Sequence, residues 1–225
     1  MHAPFNSKII SIIGIITALN IGLLIVRITI TQEPLFLFLV WNLFLAAIPL
    51  IIAAILYEHT RIAPSKLRLW FLGVVWLLFL PNAFYLLTDL KHLKHATDQL
   101  VLLDALLLFS FAFNGVLMGF FAMYYGLKSI RICYLRFPVG LGTLVIFFLC
   151  GFGIYLGREL RWNSWDVLAN PTALIQDIFT RIMNPLRFIR TWGITLIMAA
   201  FLSINYYIFK QFFMLKKTRK HAAKN

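Results

Sequence analysis

The sequence predicts an all-α protein: a bundle of about six membrane-spanning helices with one amphipathic helix lying at the membrane surface. Three observations predict it. Of 225 residues, 61% are hydrophobic and only 13% are charged, where soluble domains carry roughly 45–50% apolar residues. The apolar residues gather in runs of about 20, the length that crosses a hydrocarbon core about 30 Å thick. Within lipid, a lone segment satisfies its own backbone polar groups only as a helix. The chain reads as one polytopic domain over residues 1–225, with a basic tail over 214–225.

The first run, Ile9–Ile30, follows Lys8 as the core of a signal peptide would. It is longer than such a core, and no small-residue cleavage site follows, so it is read as a retained span. The remaining spans are Leu35–Tyr57, Leu67–Leu87, Leu100–Gly126, Pro138–Gly157 and Trp192–Phe213. Pro34, Pro64 and Pro138 sit near span starts, where a missing N–H costs least. Gly14, Ala18 and Gly22 repeat every four positions, and Gly115/Gly119 and Gly153/Gly157 form GxxxG pairs. Such pairs favour close helix contacts in lipid.

Loop cations orient the bundle. With even-numbered loops and both termini on one side, thirteen of the 21 Lys and Arg fall there and eight on the other. The positive-inside rule then places both termini in the cytoplasm of a cell-membrane protein. The net charge of +13 follows from cations flanking apolar runs, and no nucleic-acid motif accompanies it. Its expected partners are the bilayer and, through the basic tail, anionic lipids. Cys133 and Cys150 form no CxxC pair, and no disulfide is expected of them.

The loop after the fifth span carries a helix of its own. Asn170-Pro171 is a start signal. Leu174, Ile175, Ile178, Phe179, Ile182 and Met183 then recur at helical spacing. The segment is too short to span, so it lies in the interface plane or packs over the bundle top. The pattern predicts a helix over 174–183 with Ile178 and Phe179 buried and Gln176 and Asp177 wet.

Two polar stretches share the outer face in this topology. Pro81 removes an N–H within the third span and is expected to kink it, and Asn82 beside it can donate and accept at the break. Asp89, His92 and His95 follow at intervals of three. On a continued α-helix Asp89 and His95 would diverge, so even with Asp98 nearby no metal site is expected. Asp104, near the outer end of the fourth span, shares a helix direction with Phe111, Gly115 and Gly119. It is therefore read as facing the bundle interior. The catalytic candidates are Asp89, His92 and Asp104, each able to move a proton.

The second stretch holds Arg158, Glu159, Arg161, Trp162, Asn163, Trp165 and Asp166. With Asn82 these are the candidate binding residues. An aromatic belt with snorkelling arginines explains part of the pattern, but a plain anchor needs neither Glu159 nor Asp166. On a helix Arg158 would lie over Trp162 and Arg161 over Trp165. Two arginines suit a phosphate or carboxylate. Each stretch carries charges of both signs, so a carboxylate of Asp89 or Asp104 is expected to meet Arg158 or Arg161.

Pro81-Asn82-Ala83-Phe84-Tyr85, Thr88-Asp89-Leu90-Lys91-His92-Leu93, and Gly157-Arg158 with Arg161-Trp162-Asn163-Ser164-Trp165-Asp166 resemble the motifs of a bacterial multi-spanning family known only as a domain of unknown function. The family pattern has a proline where this chain has Phe84. The resemblance covers most of the chain. It implies a bacterial integral membrane protein, and it assigns no activity, cofactor or catalytic residue.

Three functions compete. The outer-face cluster binds an anionic headgroup or envelope precursor, with or without catalysis. Alternatively Asp104, Asn82 and the helix break lie on the path of a small-solute or proton-coupled transporter. In the third reading the cluster only clamps loops together in a non-enzymatic assembly or accessory protein. No nucleophile motif, HExxH or phosphate loop argues for an enzyme.

Overall fold

Apolar residues surround most of the long segments instead of forming one stripe, which is the pattern of helices buried in lipid. A computed structural model describes residues 7–95 and 100–222 of the chain, with side chains given through Phe213 apart from His95. Among the described residues there are eight α-helices, one 3₁₀ segment and no strand. The helices are α1 (Ser7–Thr31), α2 (Phe38–Ile62), α3 (Lys66–Tyr85), α4 (Val101–Cys133), α5 (Val139–Glu159), α6 (Asp166–Ala169), α7 (Pro171–Met183) and α8 (Ile189–Ala222). Six described helical stretches are long and apolar enough to cross a membrane, so this is a multi-pass membrane protein. The candidate Asp98 and the last residues of the basic tail lie outside the described residues, as does the His95 side chain.

Helices α2, α3 and α4 form the centre. α1 leans on α4, α5 packs against α3, and α8 packs against α5. Glycine decides how closely α3 is approached. A Cβ at Gly115 would lie 2.5 Å from Leu86 Cδ1 and 2.6 Å from the Ala83 oxygen, and one at Gly153 would lie 2.8 Å from Pro81 Cγ. Both GxxxG pairs thus press α4 and α5 onto the end of α3 that carries the Pro81-Asn82 motif. The repeat at Gly14 and Gly22 does not behave this way: nothing lies within 4 Å of a Cβ at either position. That face of α1 points away from the bundle, because α1 docks through the face that carries Ile9, Ile13, Asn20, Leu24 and Arg27.

Two expectations about local structure are corrected, and the third span is unbroken: α3 continues through Pro81 to Tyr85. The chain then tightens into a 3₁₀ segment, Leu86–His95. At three residues per turn, positions i and i+3 eclipse, so Asp89 and His92 share one face. α4 runs on to Cys133, beyond the expected end at Gly126.

α7 occupies the expected place, and Pro171 is its first residue, but Asn170 makes no side-chain cap bond. Its burial is turned relative to expectation. Leu174 and Arg181 are buried, while Ile175, Phe179, Ile182 and Met183 are exposed. Asp177 faces the protein, accepting from Trp162 Nε1 at 2.8 Å and pairing with Arg181 at 3.0 Å. The apolar stripe therefore points off the protein, the placement of a helix lying in the headgroup–acyl boundary.

Candidate functional site

The 3₁₀ segment brings Asp89 under the end of α5. Asp89 is 1% exposed. Its Oδ1 accepts from Arg158 Nη1 at 3.0 Å and its Oδ2 from Asn42 Nδ2 at 2.8 Å. Arg158 Nη2 donates to the Thr88 carbonyl at 2.9 Å and contacts His92 Nε2 at 3.3 Å. An arginine nitrogen cannot accept, so in this contact His92 Nε2 acts only as the acceptor. Arg158 Nη1 also reaches the Tyr85 hydroxyl at 3.3 Å, and its guanidinium carbon sits 5.4 Å over the Tyr85 ring. Only Nε of Arg158 lacks a partner. The two motifs meet across 69 residues of chain, and the arginine's charge is consumed within the protein.

The expected stacking of Arg158 on Trp162 and of Arg161 on Trp165 does not form. α5 ends at Glu159, and Arg161 has φ 62°, a left-handed conformation that no α-helix continues through. The chain reverses there, and the Trp162 N–H donates back to the Leu156 carbonyl at 3.2 Å. Asp166 Oδ2 accepts from the Asn163 backbone at 2.6 Å and its side chain at 3.3 Å, closing the turn before α6.

This turn roofs a cavity of about 190 Å³. Asn42, Asn82, Tyr85, Asn163 and Ser164 line it with amides and hydroxyls, and Trp41, Trp162 and Trp165 supply three indoles. Asn82 Nδ2 donates to Ser164 Oγ at 3.0 Å, and Ser164 Oγ donates to the Leu78 carbonyl at 3.2 Å. The lining contains no charged side chain.

The predicted residues therefore separate into groups. Asp89, His92 and Arg158 form the clamp. Asn82, Trp162, Asn163 and Trp165 line the cavity, with Asp166 holding its roof. Glu159 is drawn away to Arg190 at 3.0 Å, and Arg161 is exposed. Asp104 is fully buried but joins neither group. Its partner is Arg27, 4% exposed, whose Nε lies 3.2 Å from Asp104 Oδ1.

Arg27 and Asn42 are functional candidates that sequence reasoning missed. Arg27 enters the sequence pattern only as one of the eight cations of the outer side, and Asn42 is a lone amide in an apolar run, a signal that such residues face the bundle interior. Deeper along α1 and α4, Ser110 donates to Asn20 and Asn114 Nδ2 donates to Thr17 Oγ1 at 3.0 Å. With Arg27–Asp104 these make one polar row between α1 and α4. Asn20 Nδ2, Asn114 Oδ1 and Asp104 Oδ2 have no partner in it.

A family described as "Protein of unknown function (DUF1361)" matches residues 41–205. The chain belongs to this family. The match contains the clamp, the cavity and α7, and begins beyond α1. Neither the curated proteins nor the solved structures give a match.

Proposed function

We propose that the cavity receives the headgroup of an envelope lipid or lipid-linked precursor at the outer membrane face, with both termini cytoplasmic. The observation that carries this reading is the composition of the cavity: amides, hydroxyls and indoles without a charge. Amides and hydroxyls both donate and accept, and indole faces offer flat apolar contact. Together they suit a hydroxyl-rich group. At about 190 Å³ the cavity is smaller than the roughly 300–1,000 Å³ of drug-sized sites, so it suits a headgroup and leaves the tails in the bilayer. Arg158 does not hold the ligand here; it fixes the cavity wall through Tyr85 and Asp89. Arg161, exposed and next to Trp162, is the residue that meets the anionic phosphate of such a lipid.

Saturation-transfer NMR with deacylated headgroups tests this. Protein in detergent should transfer saturation to the inositol ring of glycerophosphoinositol, and Asn82→Ala and Ser164→Ala should each weaken binding by about tenfold, the equivalent of one buried hydrogen bond of about 1.4 kcal/mol. Equal transfer to wild type and both variants, or transfer to none, overturns the reading.

A second reading, a proton-coupled transporter, is favoured by the α1–α4 polar row with its three unpartnered buried atoms. Proton uptake by proteoliposomes that is abolished in Asp104→Asn supports it, and uptake indifferent to that change removes it.

A further inference from the structure

At the end of the bundle opposite the clamp, α3, α4 and α5 part around an apolar groove of about 690 Å³. Its origin is legible in the packing. Pro81 and Tyr85 meet Gly153 and Gly157 at the clamp end, and nothing comparable draws α3 to α5 at the other end. Gly73 on its α3 wall meets nothing within 4 Å of a Cβ, so the missing side chain is itself part of the space. Val74, Leu141 and Val145 on its lips are exposed, so the groove opens sideways, toward lipid.

Its length and its mouth identify what it takes. On α5 the lining runs from Pro138 to Leu149, about 16 Å at 1.5 Å per residue, which is one leaflet of a core about 30 Å thick. Tyr134 lines the mouth, and Lys66 Nζ lies 5.4 Å over its ring. Arg68 in the first turn of α3 and Arg136 in the α4–α5 loop lie at the same end, both exposed. No acidic residue lies in either flanking segment, 63–70 or 131–141. Cations at headgroup depth favour anionic lipid.

We propose that this groove is a binding site for one acyl chain of an anionic phospholipid, whose phosphate is held by Lys66, Arg68 and Arg136. The site is separate from the headgroup cavity, at the other end of the bundle.

Native mass spectrometry of the full chain, delipidated and titrated with an equimolar mixture of phosphatidylglycerol and phosphatidylcholine of identical chains, tests it. With excess glycerophosphoinositol present to fill the headgroup cavity, which separates the two sites, wild type should retain one phosphatidylglycerol in at least tenfold preference. Gly73→Phe, which fills the groove, should lower retention of both lipids about tenfold. The double variant Lys66→Glu/Arg136→Glu should keep the lipid but lose the headgroup preference. If Gly73→Phe does not fold, Val74→Trp on the groove's lip takes its place. Equal retention of both lipids by wild type overturns the proposal, as does retention unchanged in the filled groove. A dimer abolished by Gly73→Phe assigns the groove to a second copy and overturns it too.

Discussion

Two buried Arg–Asp pairs lie at one end of this bundle, and they are built differently. In the Asp89–Arg158 pair both carboxylate oxygens are used, and the guanidinium reaches Tyr85, Thr88 and His92 as well. In the Asp104–Arg27 pair one oxygen is bound and the other has no partner. Arg27 Nη1 donates to Thr31 Oγ1 and to the Glu33 carbonyl at the end of its own helix. Burying a charge is offset only when its other hydrogen-bonding capacity is also met. The first pair is a closed network that fixes one conformation of two motifs. The second is an open contact between two helices, with an acceptor left for a proton or a water.

Breaking the closed network should have the largest effect. Arg158→Ala leaves a carboxylate 1% exposed without its cation, a loss of about 3–5 kcal/mol for a buried pair. It is expected to abolish a monodisperse peak in detergent size-exclusion chromatography or lower the melting midpoint more than any other single change at this end.

The asparagine pair of variants sharpens the contrast. Asp89→Asn turns one of two engaged acceptors into a donor facing a donor, and should cost about 2–3 kcal/mol. Asp104→Asn also removes a countercharge, but it keeps an acceptor for Arg27 Nε and sets no donor against a donor, so it should cost less than Asp89→Asn. Equal shifts in melting midpoint would erase the distinction between closed and open pairs.

Asn42→Leu removes one donor from Asp89 and leaves the arginine. A destabilisation of about 1–2 kcal/mol is expected, and combining it with Asp89→Asn should be less than additive because the two are each other's hydrogen-bond partner. The smallest effect belongs to Glu159→Ala. Its pair with Arg190 is exposed, and such pairs contribute under about 1 kcal/mol. A midpoint shift as large as that of Asn42→Leu would mean that α8 is anchored at this contact.

The candidate site was partly legible because polar residues in lipid announce themselves. Asp89 and Arg158 stand out as charges at span ends, and pairing them needs only the rule that unpaired charge there is expensive. The role of Arg158 was not legible. Its two-pronged shape suits a bound anion as well as it suits an internal carboxylate, and only the positions of Thr88, Tyr85 and His92 show that its donors are occupied. Trp162 and Trp165 were read onto a helix that ends before them. One residue, Arg161 in a left-handed conformation, redirects the chain, and no composition rule assigns that conformation to arginine. The polar row on α1 and α4 was within reach, since Thr17, Asn20 and Arg27 follow a helical repeat, as do Ser110 and Asn114.

By itself the sequence determined the spans, the short helix expected at 174–183 and the end of the bundle where these polar motifs collect. Each of these follows from the cost of placing polar groups in hydrocarbon, a cost that attaches to residues one at a time and so is written in their order. Which arginine meets which aspartate, whether α3 survives its proline, and what shape is left between helices were decided by tertiary structure. Those outcomes depend on how closely backbones approach at Gly115, Gly119, Gly153 and Gly157. The sequence names these glycines but not the neighbour each one admits, because approach is a property of two helices at once.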